Sequence, residues 1–236
     1  MRLPLILAMA ALFLLLLSGL GVRADLWPFR TGFTLLRIAA WGGLIAAICA
    51  VVLVWPKRED RRAVLGLVAA AAIGSLVAFV PWRQLQQARA LPMIHDISTD
   101  LDDPPAFVAI APLRAGAPNP AAWAGDETAQ AQRQAYPAIV PLQLNTTPDT
   151  AFARARALIE HRGWTLVAAD SATGRLEATA TTFWFGFKDD VVLRLRATPD
   201  GGTRVDMRSK SRLGKSDVGA NARRIAAFLQ DLARAD

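Results

Sequence analysis

Hydrophobic positions are distributed along this chain in two different ways. Residues 3–22, 33–55 and 63–82 are nearly continuous apolar runs. Each is close to the ~20 residues an α-helix needs to cross a hydrocarbon core of ~30 Å. The one charge inside them, Arg37, lies a turn from an end, where its stem can reach the interface. Trp27, Trp41, Trp55 and Trp82 fall at or near the ends of the runs, the level at which amphipathic rings sit in a bilayer. The pattern predicts a transmembrane anchor of three helices over residues 1–82, followed by a polar linker over 83–91. Residues 1–24 admit a second reading as a cleaved signal peptide ending near Val22-Arg23-Ala24. The apolar run is long for that, and both readings leave the C-terminal domain on the same side of the membrane.

From residue 92 the pattern changes. Nine of the 14 prolines fall between Pro92 and Pro148. Proline removes backbone donors and fixes φ, so long helices and central strands are not expected there. Phe107, Ile110, Trp123, Tyr136 and Ile139 make the segment too apolar for disorder, and it reads as an irregular layer wrapped on a core. Periodicity then becomes regular. Thr147-Pro148-Asp149 opens a helix with Phe152, Ala155 and Ile159 on one face. Strands follow at 164–169, 175–185, 190–198 and 203–209, the third with Val191, Leu193 and Leu195 on one side and Val192, Arg194 and Arg196 on the other. Pro199-Asp200-Gly201-Gly202 is a hairpin turn. Ser216-Asp217 caps a last helix whose apolar stripe is Val218, Ala222, Ile225, Leu229 and Leu232. The order α-β-β-β-β-α predicts an α+β fold: a two-layer domain over 92–236, with a four-stranded antiparallel sheet and both helices on one face.

Charge refines the placement. Eight of the 27 Lys/Arg but only three of the 20 Asp/Glu lie before residue 83, so much of the formal net charge of +7 flanks the apolar runs. It is topological charge, and no nucleic-acid partner is expected. The loop between the second and third runs carries Lys57, Arg58, Arg61 and Arg62, against only Arg23 and Arg30 between the first and second. The positive-inside rule therefore predicts that the C-terminal domain lies outside the cytoplasmic membrane. The single cysteine, Cys49, forms no intrachain disulfide.

Three groups of residues could carry chemistry. Arg208, Lys210, Arg212 and Lys215 gather before the last helix, beside Ser216. With outward Arg194 and Arg196 they would form a cationic strip able to hold an anion or lipid headgroup at a helix N-terminus. The competing reading is that Ser216 and Asp217 already satisfy those N–H groups. The segment also nearly spells a phosphate loop, but Ser209 replaces its first glycine and the sheet is antiparallel, where the motif needs a parallel one. His95, Asp96 and Asp100 are candidate ligands for a hard divalent ion, against a plain turn before Pro104. Phe183, Trp184, Phe185 and Phe187 form an aromatic run in a strand, one side facing the core. The other faces the irregular layer, a partner, an acyl chain or the bilayer surface. No G-x-S-x-G elbow is present, and two histidines give little material for a nucleophile–base pair.

Four motifs carry a family resemblance. They are residues 94–100 with 103–107, residues 132–142 around Gln132-Arg133-Gln134-Ala135-Tyr136-Pro137, residues 185–192 around Lys188-Asp189-Asp190, and residues 208–221 from Arg208 to Asn221. In this order they resemble the family called domain of unknown function 1499. The resemblance implies an envelope or plastid-type protein and brings no activity with it. Taken together, the expectation is a membrane-anchored envelope protein whose soluble domain is a non-enzymatic binding or accessory module. Its partners would be the bilayer and an envelope lipid, glycan or protein, with no catalytic residue and no cofactor. The alternative is a metal-assisted hydrolase acting through His95, Asp96 and Asp100.

Overall fold

A computed structural model describes residues 2–234. They divide into two compact units. One runs through Ala90 and includes Thr182–Gly186; the other comprises Leu91–Thr181 and the chain from Phe187 onward.

The first unit holds α1 (Arg2–Arg23), α2 (Phe29–Val54) and α3 (Arg61–Ala90), each long and apolar enough to span a membrane. Its burial pattern is the reverse of a water-soluble bundle. Most buried positions are small, among them Ala8, Ala11, Ala39, Gly43, Ala46, Ala50, Ala70 and Gly74, joined by the larger Leu15, Leu67 and Val77. Large side chains such as Ile6, Phe13, Ile48, Val52, Leu65 and Phe79 are exposed. Helices in lipid gain nothing by hiding leucine from hydrocarbon, so close backbone packing through small residues drives their association. At the α2–α3 crossing, a Cβ on Gly74 would stand 2.4 Å from the Gly43 carbonyl oxygen, so only glycine fits there. The polar segment expected as a linker is helical, because α3 continues to Ala90.

The second unit is α+β. Its elements are β1 (Asp96–Ser98), α4 (Asp126–Ala135), β2 (Leu142–Leu144), α5 (Pro148–His161), β3 (Thr165–Asp170), β4 (Arg175–Thr181), β5 (Lys188–Ala197), β6 (Thr203–Ser211) and α6 (Ala220–Arg234). The sheet order is β1-β6-β5-β4-β3, with β2 also paired to β6 and every pairing antiparallel. The sheet therefore has six strands, not the expected four. The meander β3–β6 carries the periodic signal. The extra two are three-residue strands in the proline-rich segment, placed end to end along the outer edge of β6. Tracts that short have no readable period and exist only because β6 offers them unpaired backbone groups. The polar helix α4 is also additional to the expected elements.

One sheet face packs Leu176, Leu193, Leu195, Val205 and Met207 against Ile159 of α5 and Ile225, Phe228 and Leu232 of α6, forming the main core. The opposite face is covered by the irregular layer, where Phe107 and Ile110 pack on Val192. β4 ends at Thr181, so Phe183, Trp184 and Phe185 are not strand residues as expected. They occupy a turn closed by Gly186, whose φ of 68° is left-handed.

The chain from Leu91 onward, expressed without the helices, is expected to unfold in one cooperative transition followed by circular dichroism. Ile225→Ala, at a fully buried position, should lower its stability by about 2–5 kcal/mol. A gradual, non-cooperative melt would show that this core needs the helical unit.

Candidate functional site

Strand alternation puts Arg204, Asp206, Arg208 and Lys210 of β6 on the face away from the main core, with Asp190, Arg194 and Arg196 of β5 and Glu177 and Thr179 of β4. In solution such a face would be a polar surface. Here the segment between β1 and α4 covers it, and its charges are matched internally.

Asp96 of β1 is fully buried and faces two cations. Arg208 holds it in a fork, Nε to Oδ1 at 2.8 Å and Nη2 to Oδ2 at 2.9 Å, and Lys210 Nζ approaches Oδ2 at 3.0 Å. The Arg208 guanidinium also lies 4.8 Å from the Phe107 ring centre and 5.2 Å from that of Trp123. It donates to the carbonyls of Pro105, Ala121 and Ala122, while Lys210 donates to Ala122. Burial lowers the Lys210 pKa, and Asp96 offsets part of that effect. A second centre is Asp190, bound by Arg114 at 2.7 Å, by Arg212 in a fork at 2.8 and 2.8 Å, and by the Thr179 hydroxyl at 2.7 Å. Arg114 continues to the carbonyls of Asn119, Lys210 and Ser211. Each centre sets two cations against one carboxylate, and backbone carbonyls of the covering layer supply the remaining acceptors. Glu177 acts in the opposite sense and accepts the N–H groups of Val108, Ala109 and Ile110.

A third cluster is partly open to solvent. Asp206 binds Arg194, Arg196 and Arg204, and Asp100 binds Arg204 at 2.8 Å. Burial alone would raise the Asp100 pKa. The N–H groups of Asp103 and Asp102, then Arg204 and Arg194, outweigh it and hold the carboxyl below its usual range. On the core-facing side Asp189 pairs with Arg224, and Asn221 joins Ser209, Ser211 and the His95 carbonyl.

The predicted site residues fare differently. Arg208 and Lys210, expected outward and free, are each only 2% exposed, so with Arg212 committed to Asp190 the cationic strip is not a solvent-facing surface. Lys215 is exposed. Ser216 accepts the Val218 N–H, while Asp217 accepts those of Gly219 and Asn221, so the start of α6 is already filled by the chain's own side chains. His95, Asp96 and Asp100 do not converge. The His95 ring faces the Lys215 carbonyl, Asp96 belongs to Arg208 and Lys210, and Asp100 to the arginines of β5 and β6. Among the described residues no three His, Cys, Asp or Glu side chains are grouped to hold a metal ion. In the aromatic run, Phe183 is exposed, and Trp184 and Phe185 pack on the helices of their own unit instead of the irregular layer. Phe187 is half-buried at the start of β5.

Several residues of the network escaped the sequence reading. Arg114 lies in a short 3-10 turn with no local signal. Gln132 of α4 mimics a strand, exchanging bonds of 3.0 and 2.6 Å with the Ser98 backbone. Asn221 likewise gives no local sign of its role, whereas Asp189, Asp190 and Asp206 are the partners expected if the arginines are structural, and Asp190 does bind Arg212. Beside this network, where β1 and β2 leave a gap along β6, Thr99 spans to Met207 with two bonds of 2.9 Å. There the surface opens into a depression of about 500 Å³ lined by Thr99, Asp100, Gln132, Arg133, Tyr136 and Val140, among others.

Residues 96–232 match the family model described as "Protein of unknown function (DUF1499)". No curated protein matches the chain. The matched stretch begins at Asp96 and contains both charge centres.

Asp96→Asn leaves Arg208 and Lys210 buried against a neutral amide and is expected to cost about 3–5 kcal/mol. Exposed Lys215→Gln should stay within about 0.5 kcal/mol of the parent. Urea titration of both distinguishes a buried charge centre from a solvated strip. The lowered Asp100 carboxyl stabilises the fold at pH values above its unfolded range, and this contribution is lost as pH falls through the lower folded value. Asp100→Asn should therefore flatten the acid limb of the stability–pH curve measured by chemical denaturation.

Proposed function

The chain belongs to the DUF1499 family, and we propose that it is a membrane-anchored, non-enzymatic binding module that receives a polypeptide partner in the depression at the split edge of its sheet. The observation that carries this reading is the internal pairing of the motif charges. Asp96, Asp190, Asp189 and Asp206 each accept from arginine or lysine, and Glu177 from three backbone N–H groups. A carboxylate paired with a cation in this way is a poor general base. Part of the network borders the depression: Asp100, held by Arg204 and Arg194, lies in its wall, as does Gln132, bonded to the Ser98 backbone. Those borders combine Leu101, Pro137, Ile139, Val140 and Pro141 with the exposed Arg133–Asp102 pair. An apolar patch with a charged rim is the composition of a protein interface. A lipid headgroup is less well served, because Arg208 and Lys210 are buried and Arg212 is committed to Asp190.

The side of the membrane follows from charge. Lys57, Arg58, Arg61 and Arg62 between α2 and α3 favour a cytoplasmic loop, which leaves the domain after Ala90 on the extracytoplasmic face of a bacterial inner membrane. An alkaline-phosphatase fusion after Ala90 should be active and one after Asp60 inactive; the reverse pattern would overturn this orientation. For the binding surface, a photo-crosslinking residue at Val140 should give a discrete protein adduct in intact membranes. The same residue at exposed Gln230 of α6 should not, and Leu101→Asp should abolish the Val140 adduct without changing the melting temperature. Equal labelling from both positions would remove the depression as the site.

A further inference from the structure

The turn Thr182–Gly186 belongs by its contacts with the three apolar helices. The Trp184 indole N–H donates to the Leu16 carbonyl at 3.1 Å. Leu16 lies seven residues before the end of α1, about 10 Å along the helix axis. The Trp184 ring packs on the cluster of Ala11, Leu15, Ala39 and Val77, to which all three helices contribute. Small residues make room for it: a Cβ on Gly19 would stand 2.4 Å from the Trp184 ring. Phe185 is buried against Phe33, with ring centres 5.3 Å apart. Phe183 points away from all of this and is 85% exposed.

The backbone of the turn is provided for as well. Arg23 Nη1 donates to the carbonyls of Thr182 and Phe183 at 3.0 and 2.6 Å, and the Gly186 N–H returns to Thr182 at 3.1 Å. Non-helical backbone is tolerated at membrane depth only when its polar groups are satisfied by protein. An arginine at a helix end, its stem running along apolar surface, supplies that satisfaction at the interface.

We infer that the Thr182–Gly186 turn is a membrane-embedded element, a non-helical fourth member of the anchor, with Phe183 inserted among lipid acyl chains. The occupant is lipid because Phe183 lies beside Arg23 at the end of α1, a helix whose Phe13, Leu16 and Leu20 are likewise exposed. The ring lies loosely under the Arg23 guanidinium at 5.8 Å, so that charge marks the interfacial end of its position. The inference rests on that spanning reading and not on the polypeptide site proposed above.

The test uses the full chain with Cys49→Ser, reconstituted in liposomes containing lipids with nitroxide on their acyl chains. Single cysteines at Phe183→Cys, Ile45→Cys in α2 and Ala172→Cys in the β3–β4 turn carry an environment-sensitive fluorophore. The label at 183 is expected to be blue-shifted, quenched by the nitroxide lipid and shielded from aqueous iodide, as at 45, whereas the label at 172 is quenched by iodide alone. Iodide quenching at 183 with lipid quenching retained at 45 would overturn the inference while leaving the helices in the membrane. Shielding from both quenchers at 183 would also overturn it, in favour of contact with protein or a second copy. Absence of lipid quenching at 45 would remove the spanning reading and the inference together.

Discussion

A charge taken out of water must find partners, and the fork between Asp96 and Arg208 is where this constraint bears hardest on the domain. Arg208 and Lys210 project from the middle of the sheet, and one carboxylate cannot neutralise both. The remaining donors are met by carbonyls of Pro105, Ala121 and Ala122. Segments with no regular structure are thereby held at fixed points. Arg114 and Arg212 around Asp190 repeat the device a few residues further along. Glu177 adds its mirror image, a buried anion collecting backbone donors. The irregular layer has no ladder of its own, so its backbone groups are satisfied largely by side chains from the sheet beneath. Removing one charge strands its partners, which makes such a layer depend on each member more than an apolar core depends on one methyl group.

This arrangement gives the conspicuous motifs of the chain a structural meaning. The acidic residues near residue 96, the paired aspartates at 189 and 190 and the basic run from 208 to 212 resemble separate sites when read along the sequence. In the fold Asp96 pairs with Arg208 and Lys210 and Asp190 with Arg212, while Asp189 pairs with Arg224. Chemistry that needs an uncommitted acid or base is poorly supplied by such a network, whereas a shaped, rigid surface is well supplied. The depression beside Thr99 lies where the sheet edge is split between two short strands, and Asp100, paired with Arg204, is where the network meets its border.

The helical unit follows a different rule. Alanine and glycine fill most buried positions, joined by Leu15, Leu67 and Val77, while most large side chains face outward, the arrangement expected where the surrounding medium is apolar and close packing alone distinguishes one helix face from another. The same small residues open the notch that receives Trp184. One composition thus serves two purposes, close helix crossing at Gly43 and Gly74 and side-chain docking at Gly19.

Features that depend on periodicity and length were legible along the chain: three helices long enough for a membrane, the meander of β3 to β6, two helices packed on one sheet face, and the hairpin turn at residue 200. Alternation also showed correctly that Arg194, Arg196, Arg208 and Lys210 avoid the main core. It could not show that their face is covered. That depends on Asp96, 112 residues before Arg208, and on Arg114, 76 residues before Asp190, with no periodic signal linking them. The short strands β1 and β2 escaped for a related reason, since three residues become a strand only when another strand's edge is beside them. The aromatic run was visible as unusual, yet its contact with α1 and α2 crosses more than 140 positions. Local pattern fixes which way a side chain points, but what it meets there is decided only by the folded chain, because the partner that satisfies a buried charge or fills a notch need not be near in sequence.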